Sequence, residues 1–148
     1  MPIDDGQLVR SALAQGVYEG LAGFRLAMRR FLAFSEKVLA DAEVTSQQYQ
    51  AMLVIKTAKG GRVMIRELAE QMLIQHHGAV QLADRLSAAG LAERIPSEDD
   101  RRSVLIGLTA TGEAVLEALA RIHLQAINAN EPLLADSLSM LRHLAALA

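Results

Sequence analysis

Cysteine is absent from the 148 residues, which removes disulfides, Cys-containing zinc sites and thiol-based redox sensing on chemical grounds. Aromatics are scarce at 3% and there is no Trp, so a core must come from Leu, Ile, Val, Ala and Met within the 51% of apolar residues. That palette favours helix packed on helix, in a chain whose length suits one domain. No apolar run approaches the roughly 18 residues of a membrane span. The opening Met1-Pro2-Ile3-Asp4-Asp5 lacks the basic region and apolar stretch of a secretory signal, so the expectation is a soluble, cytoplasmic chain with no membrane partner. A basic excess is missing too. The formal net charge is -2, which argues against bulk attraction to phosphate, although a local cluster can outweigh the total within one Debye length, roughly 8 to 10 Å.

What is there is punctuated clearly. Residues 7–39 contain no Pro and carry Leu21, Phe24, Met28, Phe31 and Leu32 at a mostly three-to-four spacing, opposite Arg25, Arg29 and Arg30, which predicts a long amphipathic helix. Thr45 and Gln48 have the form of a capping box opening a second helix that runs to about Ala58 and leaves through Gly60-Gly61. Arg62-Val63-Met64 suits a brief strand, Ile65 to Met72 a short helix, and Leu73-Ile74 an apolar turn. From Gln75 the helical period resumes through Ala79, Leu82, Ala83 and Leu86 and stops at Gly90. With Gly90 at C′, Leu86 and Leu91 are the pair that meets in a Schellman ending. Two β-type runs, 91–95 and 103–109, flank the polar stretch 96–102 and read as a hairpin with a long tip. Thr109 can cap a helix over 110–129, and Glu131-Pro132 is predicted to restart the chain in a last helix.

This order predicts a mostly α (α+β) fold, a winged helix-turn-helix over residues 45–110 flanked by terminal helices over 7–40 and 110–148. The terminal helices carry more apolar surface than a small central module can cover, so a second copy of the chain is expected to cover the rest, with a monomeric bundle as the alternative.

At 100° per residue, a helix beginning at Gln75 turns Ala79, Leu82 and Leu86 inward and His77 and Gln81 outward, with Gly78 and Arg85 flanking them. Such a face suits a major groove roughly 12 Å wide: His and Gln both donate and accept, Gln81 matches adenine, and Gly78 lets the backbone come close. His76 falls nearer the inward side, which predicts packing or a phosphate contact. The same period also fits a plain solvated face. At the hairpin tip, Arg101 and Arg102 stand beside Asp99 and Asp100, where one carboxylate can orient a guanidinium for a narrow minor groove.

The run Asp100-Arg101-Arg102-Ser103-Val104-Leu105-Ile106-Gly107-Leu108-Thr109, followed by Gly112, resembles the wing signature of the MarR (multiple antibiotic resistance regulator) family. Ile65-Arg66-Glu67-Leu68-Ala69-Glu70 resembles that family's bracing helix, and Leu82-Ala83-Asp84-Arg85-Leu86-Ser87-Ala88-Ala89-Gly90-Leu91 the second half of its recognition helix. The resemblance spans about residues 45–115. It implies a homodimeric regulator, expected to be a ligand-responsive repressor, that sets two such helices in successive major grooves of a pseudo-palindromic double-stranded DNA, roughly 34 Å apart. By position it assigns base-edge or phosphate contacts to Gln75, His76, His77, Gly78 and Gln81, with Arg85 beside them, and wing contacts to Arg101 and Arg102, with Asp100 as their acidic partner. Gln75, Gly78 and Gln81 depart from the Ser, Thr and Arg common in the family, so the operator is not implied. The resemblance also implies a small aromatic or anionic effector, for which Phe24, Met28 and Phe31 are wall candidates alongside ordinary core packing.

Two rival readings stand beside this one. An enzyme would need an activated nucleophile, an acid–base pair or an open metal site, and none stands at diagnostic spacing. No cofactor is implied: His76 and His77 point about 100° apart on a helix, and His123 and His143 lie far apart in sequence, which leaves open only a zinc site built between helices. The other rival is a winged-helix module that binds protein without DNA.

Overall fold

The computed structural model describes residues 13–99 and 103–147. In chain order it contains α1 (Gln15–Asp41), α2 (Ser46–Thr57), a 3-10 turn (Lys59–Gly61), β1 (Arg62–Met64), α3 (Ile65–Met72), α4 (His76–Ala88), β2 (Ala92–Pro96), β3 (Val104–Leu108) and α5 (Ala110–Leu147). By internal packing the chain forms two units, residues 34–124 and residues 1–33 with 125–148.

In the first unit, the capping box forms as its residues dictate: the Gln48 N–H donates to Thr45 Oγ1 at 3.0 Å and the Thr45 N–H donates back to Gln48 Oε1 at 2.9 Å. The three strands make one antiparallel sheet ordered β1-β3-β2, with Val63 opposite Ile106 on one side and Arg94 opposite Ile106 on the other. Leu39, Met52, Ile55, Val63, Leu68, Leu82, Leu86 and Ile106 are buried against one another, so α2, α3, α4 and the sheet share one core.

The second unit packs the first half of α1 against the last part of α5. A methyl group added at Gly16 would meet Leu144, at Gly20 Leu141, and at Gly23 the Ser137 hydroxyl. This three-to-four row of glycines lets the two backbones approach closely, as small residues do at tight helix crossings. The predicted apolar line on α1 is thereby corrected. Gly20 and Ala27 are buried, whereas Leu21, Met28 and Leu32 are exposed, because close packing selects the smallest side chains rather than the bulkiest. The start of α1 is corrected as well: it begins at Gln15 rather than residue 7, one residue before Gly16 meets Leu144 near the end of α5, while residues 7–12 lie outside the described residues.

The restart at Pro132 is a third correction, since α5 is one helix of 38 residues. An interior proline costs a helix about 3 kcal/mol. Against that, Leu134, Ser137, Leu141 and Leu144 continue the three-to-four stripe of buried and half-buried positions set by Leu116, Leu119 and His123, and each large side chain fully buried contributes about 1.5–3 kcal/mol.

Candidate nucleic-acid interface

α4 is placed by the turn before it and the lock behind it. In the turn, Leu73 adopts the left-handed conformation (φ 56°) and is 92% exposed, while the Ile74 N–H reaches back to Ala69 O at 3.1 Å. Leucine there stores strain of about 1 kcal/mol that a glycine would relieve. At the far end, the Leu91 N–H donates to Leu86 O at 2.9 Å and the Gly90 N–H to Ser87 O at 3.0 Å, with Gly90 at φ 72°. Those are the two bonds of the Schellman motif that the sequence predicts. Thr109 then ties this ending to α5: its hydroxyl donates to Gly90 O at 2.6 Å and accepts from the Gly112 N–H at 3.0 Å, and its N–H donates to Leu91 O at 3.1 Å. A Cβ at Gly112 would lie 1.9 Å from Leu91 O. The Thr and Gly of the wing signature are thus what brings the base of the hairpin against the end of α4.

Between these anchors α4 has two faces. Ala79, Leu82, Ala83 and Leu86 are buried, whereas Gln75, His76, His77, Gln81 and Arg85 are exposed and Gly78 is half-buried. His76 is therefore not the packing residue the helical wheel allowed: it sits in the first turn, ahead of the first buried position at Ala79. Gln75 stands at the N-cap without a side-chain hydrogen bond to the helix, so it satisfies none of the N–H groups that every helix start leaves without an intrahelical partner. Gly78 is not required by packing, since an added methyl there would make only ordinary contact with Ile74 at 3.8 Å. It nevertheless costs helix stability relative to Ala, by about 1 kcal/mol.

In the hairpin beside α4 the ladder is carried one step past β2 and β3 toward the tip by the Ser97 N–H donating to Ser103 O at 3.1 Å. Asp100, Arg101 and Arg102 lie outside the described residues. Sequence reasoning missed a link that is described: Arg94 on β2 and Asp84 on α4 form an ion pair at 2.6 Å. Only its ten-residue spacing across the Gly90 turn could have suggested it. A second missed pair, Lys56 with Glu113 at 2.6 Å, joins α2 to the start of α5.

Of the effector-wall candidates, Met28 and Phe31 line a cavity with Ala27, Ile127 and Leu134, and Phe24 is not part of its wall. His123 is buried and satisfied. Its Nδ1 lies 2.7 Å from Leu119 O, which can only accept, so Nδ1 carries the proton and the bare Nε2 accepts from the Ser35 hydroxyl at 2.7 Å. The ring stacks on Tyr49 with centroids 4.6 Å apart, and burial pushes the Tyr49 phenol above its ordinary pKa. Among the described residues no three His, Asp or Glu side chains gather to hold a metal ion, and no helix is long and apolar enough to cross a membrane.

A bracing helix, a turn, a second helix with an exposed polar face and a three-stranded wing define a winged helix-turn-helix. Residues 42–103 match the MarR family model. The protein resembles MarR of Salmonella typhimurium, with 30% identity over 79 residues, covering 53% of this chain and 54% of that one. The chain thus spans about half the length of the curated relatives it matches. Among solved structures, a mutant MarR from E. coli complexed with operator DNA superimposes with a TM-score of 0.68 at 23% identity, covering 82% of this chain and 86% of the other. NadR in complex with 4-hydroxyphenylacetate gives 0.66 at 24%, covering 99% and 96%. Over residues 42–103 the chain is thus similar to the MarR family, and its fold is the winged helix-turn-helix of the solved structures it superimposes on.

Proposed function

We propose that this protein is a cytoplasmic transcriptional regulator that binds a pseudo-palindromic operator as a homodimer and represses from it until a small effector lowers its affinity. The observation that carries the reading is the exposed face of α4: Gln75, His77 and Gln81 stand out from a helix whose other side is buried, around a glycine that packing does not need. His77 and Gln81 are assigned to base edges, the first turn of α4 and His76 to phosphate, and Arg85, Arg101 and Arg102 to the flanking backbone and minor groove, with Asp100 orienting the wing arginines. DNA in the E. coli MarR complex and 4-hydroxyphenylacetate in the NadR complex support a DNA partner and a small effector by analogy.

The test is fluorescence anisotropy on DNA from upstream of the protein's own gene, across a salt series. A phosphate-contacting regulator loses affinity steeply as salt rises. Gln81→Ala is expected to weaken binding tenfold or more, about 1–3 kcal/mol for a lost bidentate base contact, with an unchanged melting temperature. Retention of no DNA fragment at low salt would overturn the reading in favour of a protein-binding winged helix.

A further inference from the structure

The first turn of α4 carries two adjacent histidines that no contact within the protein explains. His76 and His77 are both exposed, and among the described residues neither ring makes a hydrogen bond or an ion pair. No acidic residue stands in that turn, and Gln75 adds no side-chain cap to it. The charged groups on the elements packed against α4 are Lys56 on α2, Arg66, Glu67 and Glu70 on α3, and Glu93 and Arg94 on β2, with Asp84 and Arg85 on α4 itself. Lys56 is taken by Glu113 and Arg94 by Asp84. Residues 62–102 hold six arginines against seven carboxylates, a net charge of the wrong sign for a polyanion. Two imidazolium ions would reverse that sign, and would do so on the face assigned to DNA.

We propose that the DNA complex takes up protons on His76 and His77, so that both rings bind as cations and affinity is set by pH. The N-terminal end of a helix opposes a positive charge, whereas a DNA phosphate favours one. The cost therefore falls on the free protein and the gain on the complex, and that difference is what couples proton uptake to binding. Because binding takes up protons, affinity rises as pH falls. Histidine is the side chain whose charge changes between about pH 5 and 8, and carboxylates titrate below that range. A charged ring has two donors and no acceptor, which suits a phosphate oxygen for His76 and acceptor atoms such as guanine N7 and O6 for His77.

The proposal rests on the regulator reading, and one titration separates the two. Binding of the full-length protein to DNA from upstream of its own gene is measured at constant salt from about pH 8 to about pH 6. Affinity is expected to rise about tenfold for each imidazole. The log–log salt slope is expected to be steeper at the lower pH by up to about 0.9 for each added cation. Binding heats in two buffers of different ionisation enthalpy then count the uptake, expected at about one to two protons per subunit. His76→Gln and His77→Gln keep a hydrogen-bonding group that cannot titrate. Each is expected to weaken binding most at the lower pH and to remove its share of the pH dependence, with no loss of melting temperature, since neither ring has a partner in the folded chain. The double variant, which keeps His123 and His143, is expected to bind with flat pH dependence. DNA binding that does not change with pH, or a double variant that keeps the full dependence, would overturn the proton uptake and leave the regulator reading standing. Absence of DNA binding at every pH would sink both.

Discussion

Residues 34–124 and the helix pair formed by α1 up to residue 33 and α5 from residue 125 meet the same requirement, burying apolar surface, in opposite ways. In the first, helices and sheet close over one core, and every buried apolar side chain among the described residues except Ala27 belongs to it. In the second, the tight contact is made by glycines, while Leu21, Leu26, Leu32, Ile127, Leu138 and Met140 stay exposed. A module with a closed core can hold a reading helix rigidly on its own. A helix pair that spends its closest packing on glycine has apolar side chains left over, which is the composition expected of the surface that the proposed homodimer would bury.

The change expected to break the closed unit most severely is Gly112→Ala. The new methyl group would sit 1.9 Å from Leu91 O, a backbone atom already bonded to the Thr109 N–H, so neither side can move without breaking the lock behind α4. Overpacking of that kind costs about 3 kcal/mol or more, visible as a lower urea midpoint. Loss of less than about 0.5 kcal/mol, the range of neutral surface changes, would show that the hairpin base is not fixed there. Leu32→Glu tests the other half of the contrast. It places a charge on an exposed α1 position and is expected to weaken self-association by about 30-fold, or about 2 kcal/mol, measured by analytical ultracentrifugation, without unfolding residues 34–124.

The same contrast decides how much was legible in the sequence. Thr45 with Gln48, Gly90 with Leu86 and Leu91, and Thr109 before α5 are local devices whose partners lie within a few residues, and the structure places them where the pattern predicts. The inward line of α4 was legible for the same reason, because one face is fully buried. What stayed hidden depends on partners distant in sequence. The glycine row looks like a weak helix until Leu141 and Leu144 are set against it, and Pro132 looks like a boundary until the packing on either side is known. The DNA-reading assignments stand on residue chemistry and on the exposure of α4, and the three tip residues 100–102 add nothing structural to them.

A smaller effect separates fold from reading on α4 itself. Gly78→Ala is expected to stabilise the protein by about 0.5–1 kcal/mol, since the added methyl meets only Ile74 at contact distance and the helix gains a better former. If the glycine is there for close backbone approach, DNA affinity falls while the melting temperature rises. A parallel rise of both would return Gly78 to an incidental surface position.

The smallest expected change in stability lies at the Arg94–Asp84 pair. Both side chains are about half exposed, 47% and 62%, so the pair contributes no more than about 0.2–1 kcal/mol and less in high salt. Its importance is geometric, because it spans from α4 to the strand that leads into the wing. Asp84→Ala should therefore leave the melting temperature within about 2–4 °C of the parent while weakening DNA binding, and Asp84→Glu should restore part of it. The exposed Glu117–Arg121 pair, at i and i+4 within α5, is the control. Arg121, through its hydrogen bond and then its charge, lowers the Glu117 pKa, so what that pair adds is present above the carboxyl's unfolded pKa and is lost as pH falls through the folded one. Glu117→Ala should leave DNA affinity unchanged, because that pair joins one turn of a helix to the next and spans no two elements. An equal loss of DNA binding from both substitutions would reduce the Arg94–Asp84 link to its contribution to net charge.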